Sequence, residues 1–353
     1  TLPIPGFPYG GLARLPEKRR EGAYVVHRPH YLYLVPKRWL YPVAGPAMAR
    51  SLARYAAELE RPDIIHAHWS YPDGQAALAL RRHFDVPLVV HARGTLERVI
   101  ARQSRRFRAL VATPLMAADA VIANSEALRL DCLELGVAAE KLHVIPNGVD
   151  LELFKPSDKR AAKRALGLAE DRLLALYCGN LRPVKGVDLL AAAIPPLRAA
   201  RPNLHFGLVG GGELEASLRR QLAKFIEDRS VRMTGALPPA EVARYMSAAD
   251  LLILPSRSEA RSNVIIEALA CETPVAAARV GGIPEVMRDD HGVLFAPERT
   301  DAIVEALSQL TADPSHLPRL GAAGRRFVLE GDMTWDAHAR RTVELYAQLI
   351  GRA

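Results

Sequence analysis

The sequence predicts an α/β protein built from two parallel-sheet domains, and three observations carry that expectation. The chain has 353 residues, long for a single core when a domain usually takes roughly 100–200. Short apolar runs alternate with amphipathic stretches, and the alternation occurs twice. Between the two series lies 151-LELFKPSDK-159, a polar stretch that reads as a linker. Such alternation gives parallel strands joined by right-handed helical crossovers. The expected division is 1–155, 156–331, and a terminal helix over 332–353 packing back on the first domain.

In the first series, 62-PDIIHAHW-69, 87-PLVVHA-92 and 119-DAVIANS-125 read as buried parallel strands. They are short, rich in β-branched residues, and run into polar loops. The stretches 47-AMARSLARYAAELE-60, 74-GQAALALRRHF-84 and 98-RVIARQSRRFRALV-111 read as the helices between and after them, and 142-LHVIPNGVD-150 adds a strand. The second series has strands at 172-RLLALYCG-179, 204-LHFGLVG-210, 231-VRMTG-235, 250-DLLILP-255 and 274-PVAAA-278, with helices such as 213-ELEASLRRQLAKFI-226 between them.

Composition narrows the function classes. With 49% hydrophobic and 24% charged residues the chain has the means to bury a core, which excludes a disordered protein. Apolar runs such as 251-LLILP-255 fall far short of the ~20 residues of a membrane span. The first twenty residues hold no apolar signal core. Cys132, Cys178 and Cys271 are odd in number and widely spaced. They exclude a disulfide framework and fit a reducing, cytoplasmic setting.

The net charge of +8 is concentrated in the first half, where residues 1–156 hold 21 Lys+Arg against 15 Asp+Glu. Arg93, Arg98, Arg102, Arg105, Arg106 and Arg108 face only Glu97 in sequence. On one continuous helix Arg98, Arg102 and Arg105 would share a face. That predicts peripheral attachment to an anionic membrane surface, against the plainer reading of a solvated face. A nucleic-acid module is not expected, because no aromatic-rich strand motif or helix-turn-helix pattern accompanies the charge.

Open α/β sheets bind ligands beyond the carboxyl ends of their strands, so chemistry is sought in those loops. In 179-GNLRPVKG-186, Arg182 and Lys185 bring two cations to one turn, suited to charge building on a departing diphosphate. In 210-GGGEL-214 the third glycine of a dinucleotide fingerprint would fall at Glu215, which excludes a nicotinamide site. In 255-PSRSEARSNVIIEALACETPVAAARVGGIPEV-286, Glu259 precedes a helix that starts near Arg261 or Ser262, and Glu267 lies on it. Amides of Ser262, Asn263 and Val264 would be open to anionic oxygens. A carboxylate such as Glu267 can accept from two vicinal hydroxyls, as on a ribose.

Together these motifs resemble the family 4 retaining glycosyltransferases of the GT-B fold, with two Rossmann-like domains facing a cleft. The markers are 87-PLVVHARGT-95, 121-VIANSEAL-128, 144-VIPNGVD-150, 179-GNLRPVKG-186, 249-ADLLILPSRSE-259 with Glu267, and 280-VGGIPEV-286. The resemblance runs from 62-PDIIHAHWSYPDG-74 to 334-TWDAHARRTVELY-346. It implies transfer of a sugar from a nucleotide-sugar donor to a glycan or lipid-linked acceptor, with no cofactor and no metal. It places Lys185 on the donor diphosphate, Glu267 on the ribose and Glu259 beside the transferred sugar. The Ser262, Asn263 and Val264 amides would cap the diphosphate, and Gly235 and Ala236 would edge the base. The acceptor side would hold His68, His91, Arg93 and Gly94. A loop of the 68-HWSYPDG-74 kind leans toward bacterial envelope or exopolysaccharide synthesis.

The sequence departs from the family pattern at four places. Asn180 stands where an arginine is usual, with Arg182 as a substitute two residues on. Ala260 replaces a glycine, and Arg93 replaces the histidine before Gly94. The family's opening strand and glycine loop lack a clear counterpart beyond Gly10-Gly11, so the first domain is expected to be incomplete at its start. Of the histidines, His66 and His68 are read as alternating, with only one facing the cleft, and no pair is read as having metal-ligand spacing with a third ligand. Two alternatives stay open: a nucleotide-sugar epimerase on the same fold, and an anionic-ligand binding protein without transferase activity.

Overall fold

A computed structural model of the chain describes residues 15–29 and 37–351. Gly10-Gly11 lie outside the described residues. The chain divides into two compact units, 1–145 with 342–353, and 146–341.

Among the described residues, the first element of the first unit is an antiparallel hairpin of β1 (Lys18–Glu21) and β2 (Tyr24–His27). Gly22 turns it at φ +63°, in the left-handed region where glycine carries no Cβ penalty. A parallel sheet follows in the order β3 (Ile65–His68), β4 (Leu88–His91), β5 (Ala120–Ala123) and β6 (Leu142–Val144). β4 and β5 are buried along their whole length, which is why both read as unbroken apolar runs. Val89, Ala120, Ile122 and Ile145 pack with Leu345 of the helix Trp335–Ile350. The last helix thus starts in the second unit and ends in the core of the first.

The second unit is a six-stranded parallel sheet. Its strands are β7 (Leu173–Cys178), β8 (Leu204–Val209), β9 (Val231–Gly235), β10 (Leu251–Leu254), β11 (Val275–Ala278) and β12 (Gly292–Phe295). They lie in the order β12-β11-β10-β7-β8-β9. Side chains alternate between two cores. Ala175, Tyr177, Leu251 and Ile253 join Leu190, Ile194 and Leu307 on one face; Leu174, Leu176, Leu252 and Leu254 join Met246, Ile265 and Leu269 on the other. Strand order reverses at β7, whose neighbours are β8 and β10. The loops leaving β7 and β10 therefore diverge, and an α/β sheet opens its binding crevice at such a point.

Several expectations change. β12 and the hairpin are additional to the strands read from the sequence. The helix expected over 213–226 is broken at Leu222 into Glu215–Gln221 and Ala223–Glu227. More consequentially, 98–111 is not one helix. A helical turn covers Thr95–Ile100, and a new helix, Arg105–Ala117, starts where the Ser104 hydroxyl accepts from the Phe107 amide at 3.2 Å. An N-capping serine resets the register, so Arg98, Arg102 and Arg105 do not form one helical face. Arg98 instead donates to Asp131 at 2.5 Å and Arg102 to its other oxygen at 3.0 Å. The membrane-binding face through these three arginines is thereby withdrawn. Among the described residues no helix is long and apolar enough to cross a membrane.

The replacement has a measurable signature. Asp131 is buried, so Arg98→Ala leaves a buried carboxylate with one partner fewer and is expected to cost about 1–2 kcal/mol. Arg105 is exposed, and its alanine variant should stay within about 0.5 kcal/mol of wild type. Urea unfolding of both variants checks this; equal effects would mean that the Asp131 pairs contribute nothing.

Candidate functional site

In the second unit, the loop after β7 is shaped by close backbone approach. A Cβ on Gly186, which sits at φ +65°, would lie 1.9 Å from the Pro255 carbonyl oxygen beyond β10. Only glycine lets the two diverging loops touch there. The loops are fastened by the Arg257 amide donating to the Val184 carbonyl at 2.9 Å and by a bidentate pair from Arg257 to Asp188 at 2.7 and 2.8 Å. The triple glycine serves the neighbouring loop in the same way, since a Cβ on Gly210 would lie 1.9 Å from the Gly179 carbonyl oxygen.

This fastening brings the predicted residues together. Lys185 ends a single turn, Pro183–Lys185, and its ammonium donates to Glu259 Oε1 at 2.5 Å. The Ser256 hydroxyl donates to the same oxygen at 2.9 Å. Glu259 is only 9% exposed, so the ion pair holds its charge in a partly desolvated place. Three residues on, Ser262 is the N-cap of the helix Asn263–Ala270 and offers no side-chain cap. The first-turn amides of Asn263 and Val264 are left with no carbonyl a turn earlier in the helix, an arrangement suited to anionic oxygens.

Glu267 lies one turn further along that helix, and burial raises its carboxyl to about 7. No other cause accompanies the shift. A carboxylate whose burial no charge among the described residues offsets is suited to accept hydroxyl donors, which favour its ionised form. Ala260, the residue in place of a glycine, is absent from the left-handed backbone positions among the described residues, so the substitution carries no strain. Gly235 is at φ +73° with open space where a Cβ would be, and Ala236 beside it is exposed. Asn180 and Arg182 are both exposed on the loop after β7. The Asn180 carbonyl accepts from the Tyr177 hydroxyl at 2.8 Å.

One residue of this unit escaped the sequence reading. Asn147 Nδ2 donates to Asn263 Oδ1 at 3.1 Å, tying 144-VIPNGVD-150 to the helix start. The signal was present in that motif, but nothing in the sequence shows what its asparagine meets.

In the first unit, the predicted acceptor-side residues gather at the carboxyl ends of β3 and β4. Arg93 donates to His68 Nδ1 at 2.9 Å. Gly94 is at φ +97°, and its amide donates to Glu97 Oε2 at 2.8 Å. Ser70 Oγ donates to Glu97 Oε1 at 2.7 Å. Glu97 is 2% exposed and burial pushes its carboxyl up. This lone acid of the arginine run thus ties the loop after β3 to the loop after β4. Trp69 holds φ 113° and is 41% exposed, an unusual backbone state for a bulky residue and one that tends to mark functional loops.

Two histidine readings are corrected here. Residues two apart on a strand share a face, so His66 and His68 stack together with ring centroids 4.2 Å apart rather than alternating. His91 joins them from β4, bringing one ligand nitrogen of each ring within 4.8 Å of the others. Register across the sheet, not spacing along the chain, makes this group. His91 is fully buried, which leaves His68 and Arg93 as the members of the expected acceptor set that reach the surface.

The chain is similar to known proteins over most of its length. Residues 158–327 match the family model described as glycosyl transferases group 1, and residues 10–153 match the one described as Glycosyltransferase Family 4. A D-inositol 3-phosphate glycosyltransferase of Streptomyces bingchenggensis is 33% identical over 97% of this chain and 74% of its own length. One of Segniliparus rotundus is 33% identical over 84% and 68%. Among solved structures, sucrose-phosphate synthase from Thermosynechococcus elongatus superposes with a TM-score of 0.83 at 28% identity, covering 96% of this chain and 87% of that one. Anabaena Alr3699/HepE in complex with UDP and glucose gives 0.75 at 22% identity over 90% and 84%, a likeness of fold.

Proposed function

Because the chain belongs to the family 4 glycosyltransferases of the GT-B fold, and so transfers a sugar from a nucleotide-sugar donor to an acceptor, we propose that its donor is a uridine diphosphate sugar held by the second unit. The observation that carries this reading is the meeting of Lys185, Glu259, the Asn263 helix start and Glu267 where the loops after β7 and β10 diverge. UDP or UDP-glucose in the Anabaena protein's structures supports the choice of base.

In this reading Glu267 accepts the two ribose hydroxyls. The Asn263 and Val264 amides and the Lys185 ammonium face the diphosphate, where negative charge grows as the glycosidic bond breaks. Glu259 gives up part of its bond to Lys185 and reads hydroxyls of the transferred sugar. Fixed cations and helix amides supply the charge stabilisation, so no metal is assigned to the donor. The acceptor attacks from the face that the diphosphate leaves, which retains the anomeric configuration. The 68-HWSYPDG-74 loop supports an acceptor in bacterial envelope or exopolysaccharide synthesis.

A thermal-shift panel of nucleoside diphosphates and nucleotide-sugars tests the donor. A uridine diphosphate ligand at a hundredfold excess over its dissociation constant should stabilise the protein by roughly 2.7 kcal/mol. Stabilisation by another base alone would move the donor assignment, and the absence of any nucleotide effect would sink it. Product analysis then separates transfer from epimerisation of the donor.

A further inference from the structure

We propose that His66, His68 and His91 form a binding site for a divalent transition metal of the zinc class on the first unit. The ligands come from two adjacent strands. His66 and His68 project from one face of β3, and His91 lies opposite His68 in the parallel register of β3 and β4. Ring centroids are 4.2 Å apart for His66 and His68, 5.7 Å for His66 and His91, and 5.6 Å for His68 and His91. One nitrogen from each ring lies within 4.8 Å of the other two. Three imidazoles on a tetrahedral zinc have nitrogens about 3.3 Å apart, so the rings, now stacked at 10° to 36° to one another, turn about their side-chain bonds to converge on the ion.

The donor chemistry selects the ion. The group is imidazole throughout, which suits Zn²⁺, Co²⁺, Ni²⁺ or Cu²⁺ and not the oxygen-seeking Mg²⁺ or Ca²⁺. His66 also has an outer partner of the kind that fixes a metal-ligating imidazole. Its Nδ1 pairs with the Tyr346 hydroxyl from the last helix; in the metal-bound form the proposal requires Nδ1–H to donate to the phenol oxygen and Nε2 to face the ion. His91 is buried, His66 half-buried and His68 exposed, so solvent reaches the group from the His68 side.

Arg93 gives the site a distinctive test. Its guanidinium donates to His68 Nδ1 at 2.9 Å, so it competes with an ion for that lone pair and repels it by charge. Removing Arg93 should therefore tighten metal binding, which a merely structural arginine would not do. The site stands apart from the donor chemistry, because it is measured on the protein alone.

The experiment is titration of the chelator-treated full chain with Co²⁺, followed by the visible absorption of the tetrahedral ion, with Zn²⁺ competition by calorimetry. Saturation at about one ion per chain is expected, with His68→Ala weakening binding by at least about tenfold. His68 is exposed, so that variant keeps the readout even where His91→Ala fails to fold. Arg93→Ala should bind Co²⁺ about tenfold more tightly, the scale of one lost charge repulsion at close range in a half-screened place. The absence of saturable Co²⁺ binding to wild type, or binding unchanged in His68→Ala, would overturn the proposal.

Discussion

Lys185→Ala is expected to reduce turnover on the order of 100-fold or more, while leaving the affinity for a nucleoside monophosphate nearly intact. The ammonium sits on the turn after β7, 2.5 Å from the Glu259 carboxylate, and a diphosphate seated at the Asn263 helix start would bring its distal charge to the same place. A fixed cation aimed at charge that develops during bond breaking contributes more to the transition state than to the ground state. A monophosphate lacks the distal group and should not report its loss. The variant also strips Glu259 of its cation and leaves Ser256 as its partner in a site that is 9% exposed. Glu259→Gln in the same background separates the two effects, because it removes the stranded charge without restoring a cation. Calorimetry with mono- and diphosphate, alongside turnover, decides the matter. Equal losses for both ligands would reduce Lys185 to a structural partner of Glu259.

Glu267→Gln should weaken nucleotide binding at pH 8 at least tenfold and abolish its dependence on pH. Ribose hydroxyls donate to an ionised carboxylate in charge-assisted bonds of roughly 1.5–3 kcal/mol, and an amide offers one acceptor oxygen instead of two. Burial raises Glu267 to about 7 from an ordinary 4.5. Between those values the folded chain holds a proton that the unfolded chain has released. Stability therefore falls as pH rises from 4.5 through 7, the reverse of a paired carboxylate. Glu267→Gln escapes that fall, so it should be the more stable protein at pH 8, by roughly 1–3 kcal/mol after allowing for partial exposure, and not at pH 4.5. Donor binding pulls the other way, since hydroxyl donors favour the ionised form. Wild-type affinity should then rise by up to about tenfold per pH unit below 7 and level off above it. Calorimetry in buffers of different ionisation enthalpy would detect the released proton. A flat pH profile for the wild type would show that the ribose does not meet this carboxylate.

The sequence made the sheets legible because burial on both faces writes a strand as a continuous apolar run. Runs such as 87-PLVVHA-92 and 250-DLLILP-255 could hardly be anything else in so regular an alternation. β12 was not legible, being four residues behind 288-RDDH-291 with a glycine at its head. That glycine is there because a Cβ would lie 2.1 Å from the Val275 carbonyl oxygen, a fact of strand packing that no local pattern carries. The Arg98–Arg108 stretch misled for a related reason: charge and spacing suggested one face, but Ser104 starts a new helix and Asp131, far along the chain, claims two of the arginines. In the second unit, loop position sufficed to single out Lys185 and Glu259, which meet at 2.5 Å, and Glu267 on the helix that follows. In the first unit it did not. Glu97 looked like a token counter-charge and is a buried tie between two loops, while the three histidines meet only through the β3–β4 register.

The helix that starts in the second unit and ends in the core of the first sets an order of assembly. Leu345 closes a core otherwise made by Val89, Ala120, Ile122 and Ile145. On the growing chain Leu345 is made some two hundred residues after Ile145, the last of the strand-side residues it packs against. The second unit ends at residue 341, four residues before Leu345 on the same helix. Until Leu345 is made, Val89, Ala120, Ile122 and Ile145 lack that partner, and apolar surface of this kind is what a chaperone binds on a nascent chain.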